Sequence, residues 1–293
     1  MNLRDLLNFN FNSRVARKFL ELYYRRDNTY TIPFGPLRGL KMLYDPRMNF
    51  HTILGLSDLD VFRVLQRVLS VYPILKGAAS VDLGANRGLY SLWLARTKSF
   101  SKVYSFEPTP HLVEQLLANA RINQLENMEV FAGACADKVG KMELFLGDID
   151  STSSLVPTAR GQKIVVPTTS LDEFFYGSGS HRPKPSFIKM DIEGGGVLAL
   201  PGADRCIKEN RPLLYLESHS PDEDRQIGNL LMTFDYQAFR VKEREWVELA
   251  EEVYPNPRGV WGNVVACPTE HHERIAQALQ IKPTRWQPVK KAA

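Results

Sequence analysis

Four short stretches of this chain end an apolar run on side chains able to hold a ligand or move a proton. The first, residues 80–91, reads Ser-Val-Asp-Leu-Gly-Ala-Asn-Arg-Gly-Leu-Tyr-Ser, the pattern of a buried strand, a glycine turn and a helix start. Asp82, Gly84, Ala85, Asn86, Gly88 and Tyr90 are its candidate ligand contacts. The second is Phe106-Glu107-Pro108, where a carboxylate at a strand end could accept both hydroxyls of a ribose and Pro108 suits the entry to a helix. In the third, residues 187–194, Lys189, Asp191 and Glu193 alternate with apolar residues at strand period. That aims all three to one side and requires them to be paired or to line a cleft. The fourth, residues 214–219, ends on Glu217 and His219, which share a face and could each take a proton near neutral pH.

Each stretch also has a plainer reading. The first could be an ordinary tight turn, Glu107 a helix-capping acid, the third stretch a self-compensating ion-pair cluster or a cation site using Asp191 and Glu193, and His219 a solvated loop residue. The glycine turn does not match a dinucleotide fingerprint, because positions 86 and 89 are Asn and Leu. Asp82 beside the turn would repel a pyrophosphate but could hold the ammonium of an amino-acid-like ligand such as S-adenosylmethionine. The separation of Gly88 and Glu107 suits a dinucleotide fold equally and does not choose between cofactors.

The elements that must position these residues follow from the apolar pattern. From residue 80 onward strand and helix signals alternate, which implies a parallel sheet. Strands are expected near 80–84, 102–107, 128–133, 186–191 and 212–217, and helices near 88–97, 110–123, 196–208 and 222–233. Extra strands at 141–146 and 163–167 flank the loop 148–161, an inserted hairpin that could help close the site. Segments 236–241 and 260–266 read as a terminal hairpin added to the sheet. Before the glycine turn, 1–27 reads as an amphipathic helical segment, 30–44 as a short hairpin and 58–69 as a helix. The division expected is an extension over 1–70, a main domain over 71–270 and a basic tail over 271–293, loose from 282 onward.

With 293 residues, 44% hydrophobic and 24% charged, the composition is that of an ordinary soluble globule. No stretch approaches the roughly 20 apolar residues of a membrane span, and no secretory leader opens the chain, so the cytoplasm is the default compartment. The net charge of +4 is concentrated at the two ends. These could touch an anionic polymer or a membrane surface, although a solvated surface explains them as well, and no specific nucleic acid is implied. Cys135, Cys206 and Cys267 are too scattered for a disulfide framework or a zinc site and read as buried thiols. No metal is assigned.

Taken in order, the glycine turn, Phe-Glu-Pro, Ser153-Ser154-Leu155, Lys-Met-Asp-Ile-Glu-Gly and Leu-Glu-Ser-His resemble the FkbM-type S-adenosylmethionine-dependent methyltransferases over roughly residues 30–267. The resemblance implies an α/β class I methyltransferase fold. This is a Rossmann-like, mostly parallel seven-stranded sheet with helices on both faces and an antiparallel last strand. It implies S-adenosylmethionine as cofactor, with the methionine part at Asp82, Gly84, Asn86 and Gly88, the ribose at Glu107 and the adenine at Ala134. Asp58, Ser153, Ser154 and Glu193 fall to the substrate side. Two departures stand out. Gly196 takes a position where similar proteins usually carry an acid, and Ser57-Asp58 stands where a Tyr-Glu pair is frequent.

The expected activity is O-methylation of a hydroxyl on a sugar or natural-product-like small molecule. His219, Glu217 or Asp191 would be the base, and Lys189 would orient a carboxylate or ease formation of an alkoxide. The alternatives are a methyltransferase acting on a protein or other macromolecule, a catalytically silent cofactor-binding module suggested by Gly196, and a nicotinamide-dependent oxidoreductase.

Overall fold

A computed structural model describes residues 29–43, 50–147, 153–156, 162–246 and 262–282. The segment expected to be helical over 1–27, most of the loop 148–161 and the tail beyond 282 lie outside the described residues.

The first described elements are β1 (Thr29–Thr31) and β2 (Lys41–Leu43), an antiparallel pair, then helices α1 (Phe50–Leu54) and α2 (Leu59–Val71). The main sheet follows with β3 (Ala79–Leu83), α3 (Leu89–Thr97), β4 (Lys102–Phe106), α4 (Pro110–Ile122) and β5 (Met128–Phe131). An insert holds β6 (Ala134–Cys135), β7 (Gly140–Phe145) and β8 (Lys163–Thr169). Next come α5 (Leu171–Tyr176), β9 (Pro185–Met190), α6 (Gly196–Ala199), a 3-10 turn (Leu200–Gly202), α7 (Asp204–Asn210) and β10 (Leu213–Ser218). The chain ends on α8 (Pro221–Thr233), β11 (Tyr236–Arg240), β12 (Glu245–Trp246), β13 (Gly262–Pro268) and α9 (His272–Leu279).

The sheet order is β12-β11-β13-β10-β9-β3-β4-β5. Strands β10, β9, β3, β4 and β5 are parallel, while β13 runs antiparallel to both β10 and β11. The expected architecture is therefore present, with the two-residue β12 as an eighth strand at one edge. From β3 the chain first builds toward β5 and then restarts at β9 on the other side of β3. That reversal opens a crevice at the carboxyl ends of β3 and β9, where an open α/β sheet collects ligands.

Because every central strand is covered on both faces, alternate residues enter two different cores. Val81, Leu83, Ile188, Met190, Leu214 and Leu216 join the cluster beneath α5, α7 and α8. Phe187, Leu213 and Tyr215 join the opposite cluster with α2, α3, α9 and the β1–β2 hairpin. Lateral register then aligns Ser105, Asp82, Lys189 and Tyr215 in one row across four strands, on the face that α3 covers.

Four elements differ from those expected. The helix expected over 196–208 is broken at Leu200–Gly202, where Pro201 cannot continue the ladder and a side chain on Gly202 would come within 2.6 Å of the Ala136 carbonyl. The inserted hairpin β7–β8 gains a third strand, since β6 pairs parallel with β8. The start of the expected tail is α9, an amphipathic helix whose Ile275, Ala276 and Leu279 are buried. Helix α5, for which the sequence reading has no counterpart, is capped by Ser170, which accepts from the Glu173 amide.

Candidate active site

The turn after β3 is shaped by backbone geometry that only some residues accept. Gly84 has φ 77°, and a side chain there would reach within 1.9 Å of the Asp191 carbonyl, so the β3 and β9 turns can approach only because residue 84 is glycine. Gly88 is needed twice over, by its φ of 96° and because a side chain there would come within 2.4 Å of Leu116 of α4. Asn86 follows with φ 51°, and its amide donates to Glu107 Oε2 at 2.8 Å. Glu107 Oε1 accepts from the Thr109 amide at 2.9 Å, so this carboxylate, 4% exposed, fastens the β3 turn to the β4 turn. Burial pushes its carboxyl upward in pKa, against the bonds from Thr109 and Asn86 and the charge of Lys189.

Gly84, Asn86, Glu107, Pro108, Ala134, Ser153, Ser154, Asp191 and Glu193 line one open cleft. The sequence reading names all nine. The wall is completed by Phe106 at the end of β4 and by Thr109, Gly133, Cys135, Leu144, Leu155, Ile192 and Gly195, which belong to turns or to the insert and carry no strand-end signal. The cleft is apolar around Phe106, Ala134, Leu144 and Leu155 and carries carboxylates at Glu107, Asp191 and Glu193, the mixture that a nucleoside with a cationic tail requires. Ser154 Oγ donates to the Glu193 carbonyl at 2.5 Å and ties the insert to the turn after β9.

Gly88 and four further predicted contacts lie outside this lining. Asp82, expected at the ligand ammonium, is 0% exposed: its Oδ1 is 2.9 Å from Lys189 Nζ and its Oδ2 accepts from Ser91 Oγ at 2.6 Å. A buried carboxylate requires such partners, and these leave it behind the cleft wall. Lys189, expected to orient substrate, is 2% exposed and donates to the Gly84 carbonyl at 3.0 Å, so it is an internal brace of the turn. Ala85 is buried away from the cleft lining. Tyr90 stacks between Phe62 and Tyr215, with Lys189 Nζ 5.0 Å from its ring centre.

The alternation of Lys189, Asp191 and Glu193 does not continue as strand, since β9 ends at Met190 and Glu193 has φ 50°. The turn nevertheless delivers both acids to one place. His219 Nε2 lies 3.5 Å from Asp191 Oδ1, 3.7 Å from Glu193 Oε2 and 3.9 Å from Glu217 Oε1. Asp191, Glu217 and His219 bring ligand-type atoms within 4.8 Å of one another. Three acids around one imidazole are equally the setting of a proton-transfer group. Burial and Asp191 push the Glu217 carboxyl up to about 7. Burial opposes charge on His219, but Glu223, Asp191, Glu193 and Glu217 outweigh it and lift the ring to about 9.

Asp58 occupies the left-handed position before α2 and lines a second cavity with Arg63, Lys242 and Asn263. Burial raises its carboxyl and Asp191 adds to the rise, while a hydrogen bond with Tyr90 and the charge of Lys189 oppose it. Glu223 went unnoticed in the sequence, although Ser220-Pro221-Asp222-Glu223 has the spacing of a capping box ahead of α8.

A family model for the methyltransferase FkbM domain matches residues 82–241, from the β3 turn through β11. The chain belongs to the FkbM methyltransferase family. Among curated proteins, none matches. Solved structures similar to it include the methyltransferase FkbM from Methylobacillus flagellatus KT, 19% identical with a TM-score of 0.45, over 75% of this chain and 55% of that one. The chain thus spans little more than half the length of that relative. Precorrin-6y C5,15-methyltransferase from Geobacter metallireducens GS-15 is 13% identical with a TM-score of 0.40, over 72% of this chain and 88% of its own. The Pyrococcus abyssi tRNA (uracil-54, C5)-methyltransferase, solved with S-adenosyl-L-homocysteine, is 15% identical with a TM-score of 0.38, over 78% of this chain and 42% of its own. The cofactor of this FkbM family member is S-adenosylmethionine. No helix among the described residues is long and apolar enough to cross a membrane.

Proposed function

We propose that this methyltransferase acts on a hydroxyl of a sugar or natural-product-like small molecule, with His219 as the base. The supporting observation is the convergence on His219 Nε2 of Glu217 and of Asp191 and Glu193, the last two of which line the cleft. An amine acceptor brings its own lone pair, whereas a hydroxyl gains most from a group that removes its proton as the new bond forms. An imidazole among carboxylates is such a group.

S-adenosylmethionine supplies a methyl group already activated on a sulfonium. The residues of this chain then have to bind, align and deprotonate. The Gly84–Asn86 turn and Asp191 suit the methionine end. Glu107 suits the ribose hydroxyls, since a carboxylate oxygen can accept a second bond beside the amide it already holds. Phe106, Ala134, Leu144 and Leu155 suit the adenine. On the acceptor side, Ser153, Ser154 and Glu193 border the cleft and Asp58 faces the second cavity.

The test is transfer of labelled methyl from cofactor to a panel of hydroxyl-bearing acceptors, for wild type and for H219N, E217Q and D191N. H219N is expected to lower kcat by about 100-fold or more, with the affinity for S-adenosylhomocysteine unchanged by calorimetry. Because the neutral ring is the proton acceptor, the wild-type rate should rise with pH and level off above about 9. A plateau above about 7 would assign the base to Glu217 instead. Wild-type turnover in all three variants would overturn the proposal.

A further inference from the structure

Glycine at position 196 has a structural counterpart in Glu223. Gly196 does not lie in the left-handed region, so its backbone does not call for glycine. A side chain there would meet Glu223 Oε1 at 2.5 Å and Met190 Cε at 2.9 Å, two side-chain ends that would have to move. The volume an acid at 196 would enter already holds a carboxylate, and that carboxylate comes from α8.

Glu223 is 0% exposed, and both of its oxygens bond across to other elements. Oε1 accepts from the Gly196 amide at 2.7 Å, and Oε2 accepts from the His219 amide at 2.6 Å. Capping does not explain this. In a capping box the third helical residue reaches back to the amide of the N-cap residue. Ser220 does its half here, accepting from the Glu223 amide at 3.2 Å. Glu223, however, passes over Ser220 to the residue before it and to a second turn.

The same Oε2 lies 3.7 Å from His219 Nδ1. A carboxylate on that side of the ring pulls a proton toward Nδ1 and competes with the carboxylates on the other side for the tautomer. Nε2 is the atom facing Asp191 and Glu193 from the turn after β9 and Glu217 from β10.

We propose that Glu223 is the positioning residue of the candidate base: from α8 it joins the turn after β9 to the turn after β10 and holds the His219 ring with Nε2 toward Asp191 and Glu193. The arrangement deepens the methyl-transfer reading and rests on it. Glycine at 196 is then the partner that makes room for Glu223.

The test follows the His219 ring by NMR in histidine-labelled protein, its signals assigned with H219N, for wild type and E223Q. E223Q is expected to lower the ring pKa by about one unit or more and to shift its tautomers, while S-adenosylhomocysteine affinity stays within about twofold. Should E223Q fold poorly, G196A is compared in two backgrounds. It should lower the melting temperature of wild type and have a much smaller effect in E223A, where the clashing carboxylate is gone. An unchanged ring pKa and tautomer in E223Q, or an equal effect of G196A in both backgrounds, overturns the proposal. Neither readout needs an acceptor, so failure here is separate from failure of His219 as a base, which the H219N transfer rate reports.

Discussion

The acids of the site carry more negative charge than its two cations balance. Lys189 is engaged with Asp82 and reaches Asp191 at 3.8 Å, and His219 is the cation nearest Glu193, Glu217 and Glu223. Burial and mutual repulsion consequently raise the carboxyls of Glu193, Glu217 and Asp58 together. A carboxyl whose folded pKa lies above its unfolded value favours folding while protonated and costs stability as pH rises through the folded value. For Glu217 that window runs from 4.5 to about 7. E217Q should therefore melt higher than wild type at pH 8 and show little difference at pH 4, as followed by calorimetric scans. A variant that melts lower at pH 8 would show that Glu217 is compensated. Asp82, by contrast, has a countercharge beside it. Its type and place beside the glycine turn were visible in the sequence, but its partner depends on the register that sets Lys189 beside it on the neighbouring strand.

At the scale of elements, the turns matter more than the strands that carry them. The β3, β4 and β9 turns are joined by Glu107 to the Asn86 amide and by the close approach of Gly84 to the Asp191 carbonyl. The insert is joined to the same turns through Ser154. Removing one hydrogen bond of this kind is worth about 1 kcal/mol, so S154A should weaken S-adenosylhomocysteine binding by roughly fivefold without lowering the melting temperature of the free protein much. Calorimetry reads both, and unchanged affinity would separate the insert from the cofactor cleft. The main strands and the helices over α3, α4 and α8 were legible because long apolar runs and clean periodicity determine them. The α6–α7 break and α5 were not, since short helices follow from local capping and from a proline whose effect a periodic pattern hides.

For the molecule as a whole, the crevice exists because strand order reverses between β3 and β9, and the residues around it come from both halves of the sheet. A ligand that fits across that reversal should stabilise the folded chain. At 100 times its dissociation constant the gain is about 2.7 kcal/mol, so S-adenosylhomocysteine should raise the melting temperature by roughly 5 °C or more, and NAD should not. Equal shifts with both ligands would contradict the cofactor assignment.

The sequence by itself determined the fold class, the order of the motifs and the cleft residues Gly84, Asn86, Glu107, Asp191 and Glu193. These follow from local rules: a glycine where the backbone needs one, and an acid where a strand ends. Tertiary structure alone decided which charges face inward. Asp82 and Lys189 bond to each other behind the cleft wall, and Glu223, which no strand-end rule points to, reaches the site from a helix. The reason is that a buried charge takes the partner that packing and register bring within reach, and neither is written in the spacing of residues along one strand.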